Sequence, residues 1–414
     1  MKKCFTLFLF LFQLLSSFSQ TRYLDSMFAF TKYRDIQYGS NFDNKNQLTN
    51  LLMDVYEPRN DTSTALRPII FFMHGGSFVG GDRSDQNINK TSEYFAQKGY
   101  VTANIEYRVE QTNVISPFVN FADPYNWYRA IARTTHDLKA AIRYIKKDVA
   151  TNNNLYKVDT NTIFIYGSSA GAISMLHTVF LDDTSEMGFF FKAAYQDVGG
   201  GLDGNSGNPG YTIKGVKAVV SCSGAISDLN YLNNNRDIQY IGFHNNPDLT
   251  VPFDVGCFIT VACWLGNFYG ANKIFPKIKG FGTNAEFYPV NQLGHPVDRA
   301  SEVETRNFIL QKTTNFLYKI LNPSVASFVK NNTIKHIELY PNPSDGNLNI
   351  VIPDELKRSN AILDIFNLEG QKMYSATIAN QEIIKIQLEI PNGIYVVSLT
   401  NNKQNYLTKV MINR

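Results

Sequence analysis

Residues 163–174 read IFIYGSSAGAIS. Four apolar or aromatic residues run into a glycine, two serines, an alanine and a second glycine, and a helix-compatible run follows to Phe180. Gly167-Ser168-Ser169-Ala170-Gly171 fits G-x-S-x-G with Ser169 at its centre. The pattern alone is cheap, since with glycine at about 7% of an average chain it arises by accident in about one chain in ten of this length. Its setting is not cheap. A strand enters and a helix leaves, so the chain turns sharply, and glycines at 167 and 171 remove side chains where the two backbones crowd. Such a turn lifts the Ser169 hydroxyl above the sheet edge beside a helix N-terminus. Ser168, at the x position, points away from the attack site.

Working outward, strand-like runs recur at 51–58, 68–73, 100–107, 162–166, 216–222, 238–243 and 285–290. Several are apolar without interruption for four or five residues, as strands buried on both faces are. Helical patterns lie between them. Residues 137–149 (DLKAAIRYIKKDV) put Leu138, Ala141, Ile142 and Ile145 on one stripe, with Lys139, Arg143, Lys146 and Lys147 opposite. Thr305 to Leu321 reads as a closing helix. The alternation predicts an α/β fold, a mostly parallel sheet flanked by helices. The glycine- and asparagine-rich run 197–211 reads as a long irregular loop; a calcium-loop reading through Asp203 and Asn205 fails because no spaced glutamate follows.

A serine hydroxyl is a poor nucleophile until a base takes its proton. In a sheet of this kind the partners follow in the order Ser, then Asp or Glu, then His, each just after a strand. Asp248 lies five residues past the run 238–243, and His295 five past the run 285–290. Asp228 and Asp254 are rival acids, the first after an earlier strand, the second farther from its own. His244 ends a strand but precedes the acid, and His136 and His177 fall in helical stretches. Acyl transfer also builds a negative oxygen, which fixed N–H groups stabilise. Residues 71–81 (FFMHGGSFVGG) follow a buried strand, so the N–H groups of Gly75 and Gly76, with that of Ala170, are the candidate oxyanion hole. His74 is read as ordering that loop.

With these residues in place, residues 52–295 resemble secreted α/β-hydrolase carboxylesterases and lipases with an HGG oxyanion loop. The resemblance rests on LMDVYEP, FMHGGSFVGGD, ANIEYR, HDLKAAIRYI, IFIYGSSAGA, PDLTVPF and GHP. It implies an α/β-hydrolase fold and a serine esterase with Ser169, Asp248 and His295 as nucleophile, acid and base, and no metal or organic cofactor. HNNPD stands where His-Gly-x-x-Asp is more usual, and the stretch around Cys257 and Cys263 is particular to this chain.

The ends of the chain read differently. Lys2 and Lys3 precede an apolar run, residues 5–15, too short to span a bilayer, and Ser17 and Ser19 offer a cleavage site before Gln20. Residues 1–19 are therefore read as a secretory signal peptide, after whose removal no stretch could cross a membrane. Export permits a disulfide between Cys257 and Cys263, while Cys222 sits in an apolar strand-like run as a small hydrophobe. The catalytic region is read as 20–321, followed by a linker at 322–336. Beyond it short alternating strands, with turns at Asp345-Gly346, Glu369-Gly370 and Asn392-Gly393, predict a small all-β sandwich over 337–414. LYPNPSDGNLNI, DIFNLEGQKMY, NGIYVVSLT and the terminal KVMINR resemble the C-terminal sorting domain of the bacterial type IX secretion system. That resemblance implies passage across the outer membrane, with the secretion machinery as partner and release or attachment at the cell surface.

The net charge of +3, without a basic run, gives no footprint for nucleic acid. Substrate is open at this level: acetyl or feruloyl esters of polysaccharides, lipids and polyesters all suit a surface-delivered esterase. A serine peptidase would use the same three residues but lacks an accessory domain to gate peptides. A hydrolase-like surface binding protein without catalysis would have lost one of the three, and all are present. Phe78, Trp127 and Trp264 are candidates to line an acyl or aromatic pocket.

Overall fold

A computed structural model describes residues 21–110, 124–258, 266–299, 301–323, 335–357, 360–367, 371–401 and 405–414. The proposed signal peptide, most of the linker, Cys263, Trp264 and the Glu369-Gly370 turn lie outside the described residues. The chain divides into two compact units, 1–318 and 319–414.

The larger unit is built on one eight-stranded sheet. Its strands are β1 (Ala29–Phe42), β2 (Leu48–Arg59), β3 (Arg67–Met73), β4 (Val101–Ile105), β5 (Val158–Ser168), β6 (Val216–Cys222), β7 (Gln239–Asn245) and β8 (Ala285–Val290). They lie in the order β1-β2-β4-β3-β5-β6-β7-β8. The first two pairings, β1 with β2 and β2 with β4, are antiparallel, and every later pairing is parallel. Continuous apolar runs make the central strands because both faces are covered: all of β3 is buried, as are the last six residues of β5. A small second sheet joins 225–226, 268–270 and 255–256. Strand β1 is not among the runs read from sequence. Its register with β2 shifts between Tyr33 and Ile36 and again between Gln37 and Gly39, which breaks the period-two signal.

The helices are α1 (Gln86–Ala96), α2 (Pro124–Thr151), α3 (Ala170–Phe180), α4 (Phe189–Val198), α5 (Ala271–Gly280) and α6 (Val303–Leu321). Every residue of α3 is buried, so this helix presents no face to solvent. On α2 the stripe Leu138, Ala141, Ile142 and Ile145 enters the core. The cations opposite are not all in water. Lys139 and Arg143 are buried, the Lys139 ammonium donating to the Leu202 carbonyl at 2.6 Å and the Arg143 guanidinium to those of Asp203 and Gly207 at 2.6 and 3.1 Å. The glycine-rich loop is thus clamped by its own carbonyls onto α2, and His136 adds a fourth tie, Nε2 to Gly201 O at 2.7 Å.

In the smaller unit the strands are β9 (Lys335–His336), β10 (Leu339–Tyr340), β11 (Asn347–Val351), β12 (Ala361–Phe366), β13 (Lys372–Ile378), β14 (Ile383–Gln387), β15 (Gly393–Thr400) and β16 (Asn405–Ile412). They form a five-stranded sheet, β9-β16-β15-β12-β13, and a three-stranded one, β10-β11-β14. Leu348, Ile350, Ile384 and Ile386 of one sheet share a core with Leu363, Ile365, Val397, Leu399 and Val410 of the other, which makes the pair a sandwich.

Two buried histidines of the larger unit set an acid limit on its stability. Burial drives the imidazoles of both His136 and His177 down to about 4. His177 is held neutral between the Ile173 carbonyl and the Ser227 hydroxyl, at 2.8 and 2.9 Å. An unfolded histidine titrates at about 6.5. Between that value and the folded one only the unfolded chain takes up the proton, so stability is full above about pH 6.5 and falls as pH drops toward 4. The melting temperature is therefore expected to decline through this window, and more shallowly in His177→Gln; an equal slope in the variant would remove His177 from the account.

Candidate active site

Strand β5 ends at Ser168, helix α3 begins at Ala170, and Ser169 is the single residue between them. Its φ of 53° lies in the left-handed region, rare for a residue with a Cβ and typical of a sharp strand-to-helix turn. The flanking glycines are required sterically. A Cβ on Gly167 would lie 2.5 Å from the Ala172 Cα, and one on Gly171 would lie 2.4 Å from the Met73 carbonyl and 2.5 Å from that of His74. The first turn of α3 therefore rests directly on the backbone that leaves β3, and draws the His74-Gly75-Gly76 loop against Ser169. A Cβ on Gly75 would stand 3.2 Å from the Ser169 Cβ.

That loop is internally ordered. The Val79 and Gly80 N–H groups both donate to the Gly76 carbonyl at 3.0 Å, and Gly76 itself takes φ 125°, with no room for a side chain. His74 is buried, stacked on Tyr107 with ring centroids 4.0 Å apart, and its Nδ1 meets the Gly75 carbonyl at 2.7 Å. The Tyr107 hydroxyl closes the unit by donating to the His74 carbonyl at 2.6 Å. Burial lowers the His74 imidazole, which keeps it neutral.

The Ser169 hydroxyl lies 2.6 Å from Nε2 of His295, and Nδ1 of His295 lies 2.8 Å from Oδ2 of Asp248. These three side chains come from the end of β5 and from the loops after β7 and β8, parallel strands whose C-terminal ends share one edge of the sheet. Asp248 is fully enclosed. Its Oδ1 accepts the N–H groups of Thr250 and Val251 at 2.9 and 3.0 Å, and His244 Nε2 stands 3.4 Å from Oδ2. Burial alone would raise this carboxyl; hydrogen bonds from His244 and His295 outweigh it and hold Asp248 well below the usual carboxylate range. An ionised acceptor at Oδ2 puts the proton of His295 on Nδ1, which leaves Nε2 free to accept from Ser169.

The rival acids lie elsewhere. Asp228 caps a short turn by accepting from Asn230 N, and Asp254 pairs with Lys273 at 3.1 Å. Phe78 and Trp127 are buried against each other, edge to face at 5.5 Å, and Trp127 stacks on Phe258, so both belong to the interior. Cys257 is disulfide-bonded, whereas Cys222 is buried and free at the end of β6.

Residues 53–249 match the family described as BD-FAE, and residues 338–413 match the secretion system C-terminal sorting domain. The chain carries a BD-FAE domain of the α/β-hydrolase kind and a C-terminal type IX sorting domain. Its sequence is 28% identical to carboxylesterase 3B of Mus musculus over 35% of this chain and 23% of that protein. It is 32% identical to esterase LipC of Mycobacterium tuberculosis over 29% of this chain and 24% of that one. The matched part thus spans about a quarter of the length of these relatives. Among solved structures it is similar to Thermogutta terrifontis esterase 2 at 18% identity, over 70% of this chain and 94% of that chain, with a TM-score of 0.48. Ser169, Asp248 and the HGG loop fall inside the BD-FAE segment, and His295 lies beyond it.

Sequence reasoning passed over three side chains that surround this set: His244 beside Asp248, Ser223, whose hydroxyl accepts the Val297 N–H at 3.1 Å, and Asp298. None sits in a recognisable motif, and His244 was weighed only as a base. Within the BD-FAE domain the crossing at Gly171 is the tightest test of this geometry. Gly171→Ala is expected to cost about 1–3 kcal/mol, because only backbone faces the added methyl. It should also displace the HGG loop and depress turnover. Gly188→Ala, with nothing within 4 Å, should stay within about 0.5 kcal/mol of wild type. Thermal melts and ester turnover of the two variants check this, and equal behaviour would refute the crossing as a constraint.

Proposed function

We propose that residues 20–321 form a serine carboxylic ester hydrolase with Ser169 as nucleophile, His295 as general base and acid, and Asp248 as the carboxylate that orients His295. The observation that carries this reading is the continuous relay from Ser169 Oγ through both ring nitrogens of His295 to Asp248, at 2.6 and 2.8 Å. Supporting it, Ser169 stands on a left-handed turn at the N-terminus of a buried helix, where the first N–H groups have no partner within the helix.

In the proposed cycle His295 Nε2 takes the hydroxyl proton as Ser169 Oγ attacks the ester carbonyl carbon. The oxygen that becomes negative is received by the N–H groups of Gly75, Gly76 and Ala170. A preorganised donor of this kind is worth about 2.7–4 kcal/mol. Asp248 stabilises the imidazolium without itself taking the proton. The tetrahedral carbon collapses, and the alcohol leaves with the proton from Nε2. A water activated by the same nitrogen then releases the acyl group and restores Ser169.

The substrate class we favour is an acetyl or feruloyl ester borne on a polysaccharide, a reading supported by the BD-FAE match together with a domain arrangement suited to export. In that arrangement residues 1–19 are the signal peptide, 322–336 the linker and 337–414 the domain handed to the type IX secretion machinery, so that the esterase acts outside the cell. Among the described residues no helix is long and apolar enough to cross a membrane.

The test is an ester panel on the full chain: nitrophenyl acetate and butyrate, acetylated xylan, methyl ferulate and triglycerides of several lengths. Turnover on the acetyl or feruloyl members is expected, with a loss of at least about 10³-fold in Ser169→Ala. A fluorophosphonate should label Ser169 and no other serine. Hydrolysis that survives Ser169→Ala unchanged would sink the assignment, and activity confined to long-chain triglycerides would move the substrate class to lipids.

A further inference from the structure

Asp298 follows His295 by three residues and takes no part in the relay, yet its carboxyl is among the most deeply buried in the unit. Its Oδ1 accepts the Ser168 hydroxyl at 2.8 Å and its Oδ2 the Tyr166 hydroxyl at 3.0 Å, and the Tyr166 oxygen in turn accepts the Cys222 thiol at 3.1 Å. Among the described residues no cation pairs with it. Burial raises the Asp298 carboxyl, against the pull of the Ser168 and Tyr166 hydrogen bonds. A buried carboxyl without a cation is costly, and an apolar side chain of the same size would stabilise the fold better. The position is therefore better explained by what the carboxyl holds than by stability.

What it holds is β5. Both donors belong to the last three residues of the strand that delivers the nucleophile, and Ser168 is the residue immediately before Ser169. The carboxyl belongs to the loop that delivers the base. Nucleophile and base are thus joined twice: through the Ser169–His295 hydrogen bond itself, and beneath it through Ser168 and Asp298. The other sides of the same loop are fastened by Asn245, whose amide donates to the Gly294 carbonyl at 2.9 Å, and by the Ser223 hydroxyl at Val297 N. Those two ties come from β7 and the end of β6. Of these ties among the described residues, that of Asp298 runs to the nucleophile's own strand.

We propose that Asp298 is a positioning residue that docks the His295 loop onto Ser168 and Tyr166 and so sets the separation between Ser169 Oγ and His295 Nε2. The proposal rests on the reading of Ser169 as nucleophile and His295 as base. It assigns a task to Ser168, the x residue of the motif: its hydroxyl turns under the elbow rather than toward substrate. Misplacing a base by a fraction of an ångström is paid in the chemical step, because the near-attack geometry is lost while the contacts that bind substrate remain.

The experiment measures kcat and KM for nitrophenyl acetate in the full-length chain, with active sites counted by fluorophosphonate titration so that unfolded molecules drop out. Ser168→Ala and Asp298→Ala are each expected to lower kcat about ten-fold. KM should stay within about two-fold in both. The double variant Ser168→Ala/Asp298→Ala should be no slower than the slower single one, because the bond lost in Ser168→Ala is already lost in Asp298→Ala. Asp298→Asn, which keeps the shape and one acceptor oxygen, should recover part of the loss. Wild-type kcat per titrated site in Ser168→Ala, or losses that multiply in the double variant, would overturn the proposal; should Asp298→Ala fail to fold, Ser168→Ala and Asp298→Asn decide it alone. The two levels separate cleanly. If Ser169→Ala is inactive while Ser168→Ala is normal, only the positioning role falls; if Ser169→Ala remains active, the nucleophile assignment itself is wrong.

Discussion

Two backbones meet where the first turn of α3 crosses the ends of β3 and β5, and the crossing closes only with glycine at 167 and 171. The whole candidate site is hung on that contact. With Gly171 packed on the Met73 and His74 carbonyls, the HGG loop cannot stand away from the elbow. With Gly167 against the backbone of Ala172, the turn at Ser169 has no gentler path than the left-handed φ it adopts. The cost of that conformation, of order 1–3 kcal/mol, is borne by a helix buried on every side. Burial of α3 and the seating of the Ser169 hydroxyl at its N-terminus are two consequences of the same packing.

Electrostatics continues the argument. Asp248 is buried, which alone would favour its neutral form, yet four donors converge on its two oxygens: the N–H groups of Thr250 and Val251, and the imidazoles of His244 and His295. The carboxylate is therefore ionised, and its own loop fixes it independently of His295. This ordering matters for His295, whose ring is partly exposed and has few other restraints. A rigid acceptor on one side and a rigid hydroxyl on the other leave the ring a single productive orientation.

The central strands, the turn at Ser169 and the meeting of Ser169, Asp248 and His295 were legible in the sequence because each follows from a local rule: buried parallel strands are continuously apolar, sharp turns demand glycine, and polar residues just past parallel strands gather at one edge of the sheet. Runs 216–222 and 285–290 coincide with β6 and β8 to the residue. What was not legible depends on long-range contact. β1 is an edge strand whose register shifts mask its alternation. Lys139 and Arg143 look like a solvated helix face until the glycine-rich loop folds its carbonyls over them. Phe78 and Trp127 are candidates in sequence for either a pocket wall or the core and are buried against each other in the fold, since an aromatic in sequence carries no mark of which side of a loop it occupies.

Asp298 is the sharpest case of the same limit. In sequence it is one more aspartate after a histidine, with a proline between them that breaks any helical relation. Ser168 is equally mute, since the x position of the motif tolerates many residues. Their meaning exists only as a pair, 130 residues apart along the chain and 2.8 Å apart in space. Because β5 supplies both Ser168 and Ser169, anything that docks on the first fixes its distance to the second within one peptide unit. β5 is a central strand, paired with β3 as far as Gly167 and with β6 as far as Ser168, so a loop anchored at its end is held by the sheet. The arrangement lets a histidine on a loop behave as though it were carried by the sheet.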